Sequence, residues 1–190
     1  MGEFRVERLT VEQVRELYVR RLKRDFPPDE LRPLSRIEQA LARGEYMCYG
    51  ALEGGAILAY AFFVLLGKRA LFDYYAVDEP LRDRGLGSRF LQALIGGPLA
   101  GMDRVLLEVD DPDSAENREE AGLRRRRLDF YLRNGLLETG VKATVYGVDF
   151  RLLSLPVGVA PTPEETRRLY GQLYRVILPP GLYESKVVIH

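Results

Sequence analysis

The stretch AVDEPLRDRGLGSRFLQAL, residues 76–94, decides the fold. An apolar run ends at Val77, a polar turn follows, and apolar residues at helical spacing resume after Gly87. Glycines at a strand-to-helix turn let the backbone approach a ligand closely. The free N–H groups and the dipole of a helix start attract an anion, and flanking arginines reinforce that attraction. The stretch therefore predicts a strand, a turn that binds a phosphate-bearing ligand, and a helix.

Three other interpretations of this turn are possible, and the sequence argues against two of them. The simplest is a plain helix start with solvated arginines. The dinucleotide fingerprint needs a third glycine where this chain has Phe90, and no early strand precedes the turn as the first of a βαβ fold. A P-loop needs Gly-Lys followed by Ser or Thr, which the turn lacks.

Elements on either side of the turn follow from hydrophobic periodicity. We predict a strand around residues 4–9, helices over 11–22 and 34–44, strands over 46–52, 56–66 and 70–77, a helix over 87–94, a strand over 105–109, a helix over 114–133, a strand-like stretch over 144–155 and a helix over 164–177. Glycine-containing turns join the three middle strands into an antiparallel meander. The strand–helix–strand spacing that follows implies a right-handed crossover between the parallel strands 70–77 and 105–109.

Composition excludes several classes of protein. The 190 residues suffice for one domain with a buried core. Basic and acidic residues number 28 each, so net charge gives no reason to expect nucleic acid or an anionic membrane as partner. The longest apolar run, residues 56–66, is too short for a membrane helix of ~20 residues. Cys48 is the only cysteine, which excludes an internal disulfide and leads us to expect a reducing, cytoplasmic location.

Histidine-based chemistry is excluded as well, because the sequence has one histidine, His190, at its last position. Catalytic triads and the usual zinc sites are therefore not expected, and no metal is predicted. Carboxylates, tyrosines, the backbone or a cofactor must supply the chemistry.

Two motifs resemble those of one family. The pattern Arg82-x-x-Gly85-x-Gly87 after a strand resembles the acyl-coenzyme A pyrophosphate loop of the GNAT superfamily of N-acetyltransferases. The segment RLDFYLRNGLLETG, residues 127–140, is similar to the aromatic helix end of that family, with Leu136 in place of the usual phenylalanine. The predicted order of elements also fits, and the resemblance covers about residues 3–155.

The resemblance implies the fold and the activity. The fold is an α/β architecture of the α+β type: a mixed, mostly antiparallel sheet flanked by helices, with a splayed central pair of parallel strands. We expect residues 1–155 to form the GNAT domain and residues 156–190 to add a C-terminal helix and tail packed on it. The implied activity is direct acetyl transfer from acetyl-CoA, the co-substrate, to a primary amine of a small molecule or peptide. A non-catalytic acyl-CoA sensor and a transferase for longer acyl groups are the alternatives, and a homodimer is left open.

The same resemblance assigns the cofactor contacts. Pantetheine would add alongside the fourth strand, and the pyrophosphate would bind the turn after it. The implied residues are Ala76, Val77, Arg82, Asp83, Arg84, Gly85, Leu86, Gly87 and Ser88. Position 124 departs from the family pattern, because an arginine stands where an asparagine near the pantetheine is common.

Catalytic residues are predicted on three elements. The resemblance puts Tyr131 in the position of the general acid, and a phenol of pKa ~10 suits a thiolate leaving group. Asp73, expected to share a strand face with Tyr75 and Val77, and Glu108 on the neighbouring strand are alternative bases. Strand-end carboxylates in water, or in structural ion pairs, are the simpler interpretation.

Charge near the fifth strand predicts the kind of acceptor. Acidic residues cluster there: Asp73, Glu108, Asp110, Asp111 and Asp113. Their negative field would attract a cationic amine. The four arginines at positions 124–127 point in different directions on a helix, so we expect ion pairs with Glu119 and Glu120 rather than a nucleic-acid surface.

Overall fold

A mixed sheet organises the chain in the computed structural model, which describes residues 3–28, 30–179 and 181–190. Within these residues the sheet has 8 strands in the order β1-β2-β3-β4-β5-β7-β6-β8. The strands are β1 Arg5–Arg8, β2 Tyr46–Glu53, β3 Ala56–Leu66, β4 Arg69–Val77, β5 Arg104–Asp110, β6 Leu137–Val145, β7 Val148–Ser154 and β8 Val187–Ile189. The pair β4–β5 is parallel and the other neighbours are antiparallel, as predicted.

Helices cover both faces of the sheet. They are α1 Val11–Leu17, α2 Lys23–Asp25, α3 Leu34–Ala42, α4 Leu86–Gly96, α5 Arg118–Arg133, α6 Pro163–Ile177 and α7 Leu182–Lys186. A π-helical turn, Tyr18–Leu22, joins α1 to α2. Thr10 caps α1, because its side chain accepts a hydrogen bond from the Gln13 N–H.

Two sequence-based elements have wrong boundaries, and two elements near the end of the chain were not predicted. The helix predicted from residue 114 begins at Arg118, because Pro112–Ser114 forms a separate 3₁₀ turn and Asn117 is the N-cap. The single stretch predicted over 144–155 is the end of β6 followed by β7, separated by a tight turn with positive φ at Tyr146 and Gly147. The short tail contains α7 and the edge strand β8, neither of which was predicted.

Alternation along the strands sends side chains into two hydrophobic layers. On one side, which we call the α6 face, strand residues such as Phe62 and Leu106 pack against α1, α3 and α6. On the other side, the α5 face, residues such as Phe63 and Leu107 pack against α4 and α5. The sheet is therefore buried on both sides, which explains its long apolar runs.

The central parallel pair is splayed, as predicted. Pairing of β4 with β5 runs from Arg69↔Arg104 to Phe72↔Leu107 and stops there. Both strands continue, β4 to Val77 and β5 to Asp110. The second half of β4 thus has an unpaired edge facing a gap between the strands.

A bulge in β4 changes the side on which Asp73 lies. Phe62 pairs with Tyr74 and Phe63 with Phe72, so Asp73 is the extra residue. The bulge interrupts strict alternation, and the Asp73 side chain contacts residues of the α6 face. Tyr75 and Val77 pack on the α5 face. The prediction that Asp73 shares a face with these two residues is therefore wrong.

The segment after β7 adds a helix to the α6 face. Residues of α6 such as Leu169 and Leu173 are buried in the same hydrophobic cluster as α1 and α3. The division of the chain at residue 155 stays a prediction. No helix in the described ranges is long and apolar enough to span a membrane.

Candidate active site

The turn between β4 and α4 has the backbone geometry of an anion site. Residues 82–85 are exposed, and φ is positive at Asp83 (60°) and Gly85 (75°). Gly85 is the N-cap of α4, and no side chain accepts a hydrogen bond from the first N–H groups of the helix. The start of α4 is thus open to an external acceptor. Leu86, by contrast, is buried in the core.

The absence of a side chain at Gly87 allows close packing of α4 against its neighbours, as well as close approach of a ligand to the backbone. A Cβ at this position would lie 3.4 Å from the Cζ atom of Phe130 and 3.4 Å from a methyl group of Val77. The Tyr75 hydroxyl donates a hydrogen bond of 2.5 Å to the Gly87 carbonyl. The next residue, Ser88, accepts a hydrogen bond from Asn134 at the end of α5. These contacts hold the start of α4 against β4 and α5.

The two arginines of the turn differ in their availability. The Arg82 Nε donates to the Val77 carbonyl over 3.1 Å, and its Nη2 lies 3.6 Å from the Asp25 carboxylate. Arg84 is exposed and forms no ion pair with any residue that the structure describes. Arg84 is therefore the freer cation for a phosphate. Ala76 pairs with β3 on one side and faces the gap with the other.

Tyr131 lies near the end of α5, buried on the α5 face. Its ring centroid is 5.2 Å from that of Phe130 and 6.5 Å from that of Tyr75. Burial raises the pKa of Tyr131 to about 12, although the nearby Arg127 opposes this shift. The phenol therefore keeps its proton at neutral pH, as a general acid must before transfer.

Asp73 is held by a buried arginine. The Arg32 Nε lies 2.9 Å from each carboxylate oxygen of Asp73, and the Tyr46 hydroxyl also donates to that carboxylate. The Asp73 side chain is only 5% exposed. The Arg32 and Tyr46 side chains therefore occupy the Asp73 carboxylate and would have to be displaced before an acceptor could contact it.

Glu108 has different surroundings. It is the first residue of β5 beyond the pairing with β4, and it is partly buried on the α6 face. The hydroxyl of Tyr174 donates to its Oε1 over 2.5 Å, and the hydroxyl of Tyr170 donates to the same oxygen. Burial raises the pKa of Glu108 to about 7, while these two hydrogen bonds restrain the rise. Glu108 can therefore gain and lose a proton near neutral pH.

The acidic residues at the end of β5 are neutralised. The ion pairs are Asp110–Arg127, Asp111–Lys142, Asp111–Arg151, Asp113–Arg125 and Asp113–Arg151. Burial alone would raise the pKa of Asp111, but hydrogen bonds from Lys142 and Arg151 lower it to about 2. The predicted net negative field is therefore absent from these described residues. In α5, Arg124 pairs with Glu120, as predicted.

Sequence reasoning missed four residues that surround the two carboxylates: Arg32, Tyr46, Tyr170 and Tyr174. The only available signal was the spacing of Tyr170 and Tyr174, which lie one turn apart on the apolar side of α6. Arg32 lies in a loop, where no periodic pattern marks it. No group of His, Cys, Asp or Glu suited to a metal occurs in the described part of the chain.

The splayed β4–β5 pair, with the open start of α4 beyond it, is the architecture that the resemblance implies for acyl-CoA N-acyltransferases. A family model, described as the acetyltransferase (GNAT) family, matches residues 11–118, more than half of the chain. The chain therefore belongs to the GNAT acetyltransferase family.

Solved structures share the fold. A GNAT-family protein from Bacteroides thetaiotaomicron aligns with a TM-score of 0.66 and 20% identity over 90% of this chain and 95% of its own. The ribosomal-protein-S18-alanine N-acetyltransferase of Escherichia coli aligns with a TM-score of 0.58 and 21% identity over 83% of this chain and 96% of its own. An Elizabethkingia anophelis GNAT acetyltransferase with acetyl-CoA bound aligns with a TM-score of 0.55 and 14% identity over 82% of this chain and 99% of its own. A comparison with curated protein sequences finds no match.

Proposed function

We propose that this protein is an acetyl-CoA-dependent N-acetyltransferase that acts directly on a primary amine of a small molecule or peptide. One observation supports a catalytic role above all. Glu108, with a pKa raised to about 7, lies where β4 and β5 separate. A carboxylate tuned to neutral pH at that point is suited to accept a proton from an amine.

Acetyl-CoA would bind along the gap between the strands. Its pyrophosphate would accept hydrogen bonds from the backbone N–H groups of residues 83–88, with Arg84 beside it. Its pantetheine would add to the unpaired edge of β4 at Ala76 and Val77. The Elizabethkingia anophelis structure of the same fold holds acetyl-CoA, which supports this co-substrate.

The reaction would need two proton transfers. The amine nitrogen attacks the thioester carbonyl carbon, the C–S bond breaks, and an amide forms. Glu108 takes the proton that the amine loses, and Tyr131 gives its proton to the departing sulfur. Asp73 is the weaker candidate for the base, because Arg32 and Tyr46 already engage its carboxylate. We infer that Asp73 positions these side chains instead.

A sensor that binds acetyl-CoA without turnover is the second candidate. Tyr170 and Tyr174 lie against Glu108 from α6 and narrow the access of an acceptor to that carboxylate.

The buried thiol of Cys48 fits a reducing compartment, and we propose a cytoplasmic location for either candidate.

Turnover distinguishes the two candidates. CoA release from acetyl-CoA would be measured over a panel of primary amines, in parallel with calorimetry of CoA binding. We expect turnover in the wild type, and a ~10²–10⁴-fold lower rate with similar CoA affinity in Tyr131→Phe. Tyr183→Phe, in α7, is the matched control. CoA binding without turnover on any amine would favour the sensor, and an unchanged rate in Tyr131→Phe would make Tyr131 a packing residue.

A further inference from the structure

Apart from the gap between β4 and β5, a recess lies on the α6 face, between α3 and the end of α6. It has a volume of about 240 Å³. Its lining includes the arginines at positions 32, 36, 43 and 175 together with Tyr46, and no carboxylate lines it among the described residues. A cleft lined by charges of one sign raises the local concentration of counter-ions, so this lining favours an anion.

Only two of these four arginines form an ion pair with a described carboxylate. Arg32 pairs with Asp73 over 2.9 Å and Arg43 with Glu45 over 2.6 Å. Neither Arg36 nor Arg175 has a described carboxylate within ion-pair distance. The guanidinium of Arg175 lies 3.8 Å from the ring centroid of Tyr183 instead. The recess therefore carries surplus positive charge that no described side chain neutralises.

The recess is connected to the proposed transfer site through side chains. Arg32 and Tyr46 line the recess, and both also bind the carboxylate of Asp73. Asp73 is the bulged residue at the point where β4 leaves β5, and Glu108 lies beyond the same point on β5. A molecule anchored in the recess would thus lie on the same face of the sheet as the proposed base.

We propose that this arginine recess binds an anionic group, a carboxylate or a phosphate, of the acceptor; this rests on the proposed function. The acceptor is then a small molecule with both an amine and an anion, rather than a simple cationic amine. Ligand pockets for whole drug-sized molecules measure ~300–1,000 Å³. The recess is smaller, which suits one charged end of a molecule whose amine reaches towards Glu108. Guanidinium groups bind carboxylates and phosphates with two hydrogen bonds, which would add geometric selectivity.

The test is a binding comparison that does not depend on turnover. Protein saturated with CoA would be titrated calorimetrically with ω-amino carboxylates, ω-aminoalkyl phosphates and n-alkylamines of two to six carbons. We expect the anionic probes to bind at least roughly tenfold more tightly than alkylamines of equal length. Arg36→Gln with Arg175→Gln should remove that advantage and leave CoA affinity unchanged. Arg168→Gln, an exposed arginine of α6 outside the recess, is the matched control and should change nothing.

The carboxylate and phosphate series identify which anion is preferred. Equal or weaker binding of both anionic series, no binding of any probe, or an undiminished advantage in the double variant would overturn the recess proposal. Turnover of acetyl-CoA in the same samples keeps the two proposals apart. Arginine-dependent anion binding without turnover contradicts only the enzyme. Turnover of the amino carboxylates and aminoalkyl phosphates that is no better than turnover of alkylamines, and that is indifferent to Arg36 and Arg175, contradicts only the recess.

Discussion

Asp73 and Glu108 lie on adjacent strands, yet their surroundings give them different chemistry. The Asp73 carboxylate is held by the Arg32 guanidinium and the Tyr46 hydroxyl, so both of its oxygens already have hydrogen-bond partners. Glu108 has only neutral hydroxyl donors and is desolvated, which raises its pKa to about 7. The sequence left these two carboxylates as equal candidates, because neither the bulge nor the tyrosines of α6 are visible in a local pattern.

The pH dependence of the rate tests the role of Glu108. A base must be deprotonated, so kcat/KM should rise with pH and level off above about 7, the pKa of Glu108. Hydrogen bonds from Tyr174 stabilise the carboxylate, so Tyr174→Phe should raise the pKa and move the ascending limb to higher pH. Glu108→Gln should lower the rate ~10²–10⁴-fold and remove the limb.

Tyr146→Phe is the matched control, because Tyr146 is 50% exposed in the turn between β6 and β7. It should leave the pH profile of the wild type unchanged. Glu108 would not be the base if Glu108→Gln kept the ascending limb, or if Tyr174→Phe moved it to lower pH.

At the scale of elements, the start of α4 offers a test of the phosphate site that leaves the core intact. Gly85 has a φ of +75°, and nothing lies within 4 Å of a Cβ built there. Asn and Asp tolerate this left-handed conformation better than other side chains and have nearly the same shape. Gly85→Asp should therefore weaken acetyl-CoA binding ~10-fold or more beyond Gly85→Asn, because it adds a negative charge beside the pyrophosphate.

Calorimetry with acetyl-CoA at low and high salt measures this difference. The difference in acetyl-CoA affinity between the two variants should decrease as salt screens the added charge. Equal affinity of Gly85→Asp and Gly85→Asn for acetyl-CoA at low salt would show that the pyrophosphate does not bind at this turn. Gly87 is a poorer choice, since its packing against Phe130 and Val77 would mix loss of stability with loss of binding.

Elements were predictable where the pattern is local. The meander, the crossover and α4 follow from periodicity and glycine turns, and the structure has each of them. The start of α5 was misplaced because the sequence of residues 114–117 is compatible with a helix, whereas the actual start depends on the Asn117 cap. The face of Asp73 was misassigned because one extra residue in β4 reverses the alternation beyond it.

At the scale of the whole molecule, the site depends on contacts between distant segments. Tyr170 meets Glu108 across 62 positions of sequence, and Arg32 meets Asp73 across 41. Such pairs are created by the packing of α6 and of the loop before α3 on the sheet, so no local window of sequence reveals them. The strand, turn and helix around residues 77–86 were predictable because they lie in one contiguous stretch, and the binding of acetyl-CoA by this turn stays a prediction.

The complement of nucleophiles in the whole chain predicts the kinetic mechanism. A two-step transfer through an acetyl-enzyme needs an activated nucleophile, usually a cysteine with a histidine base. Cys48 is fully buried in β2, and burial together with the nearby Asp73 raises the pKa of its thiol. The ring of His190 lies 2.9 Å from the Thr144 hydroxyl on β6, away from that thiol. Direct attack by the amine needs only proximity and proton transfer.

Acetyl transfer should therefore occur in one step within a ternary complex. Initial-rate plots against both substrates should intersect, and mass spectrometry of the protein with acetyl-CoA alone should show no stoichiometric acetyl adduct. Cys48→Ala should keep its rate, and any loss should appear in the free energy of unfolding, because the substitution leaves a small cavity in the core. Parallel plots, or an acetyl group on Cys48 that passes on to the amine, would establish the two-step route instead.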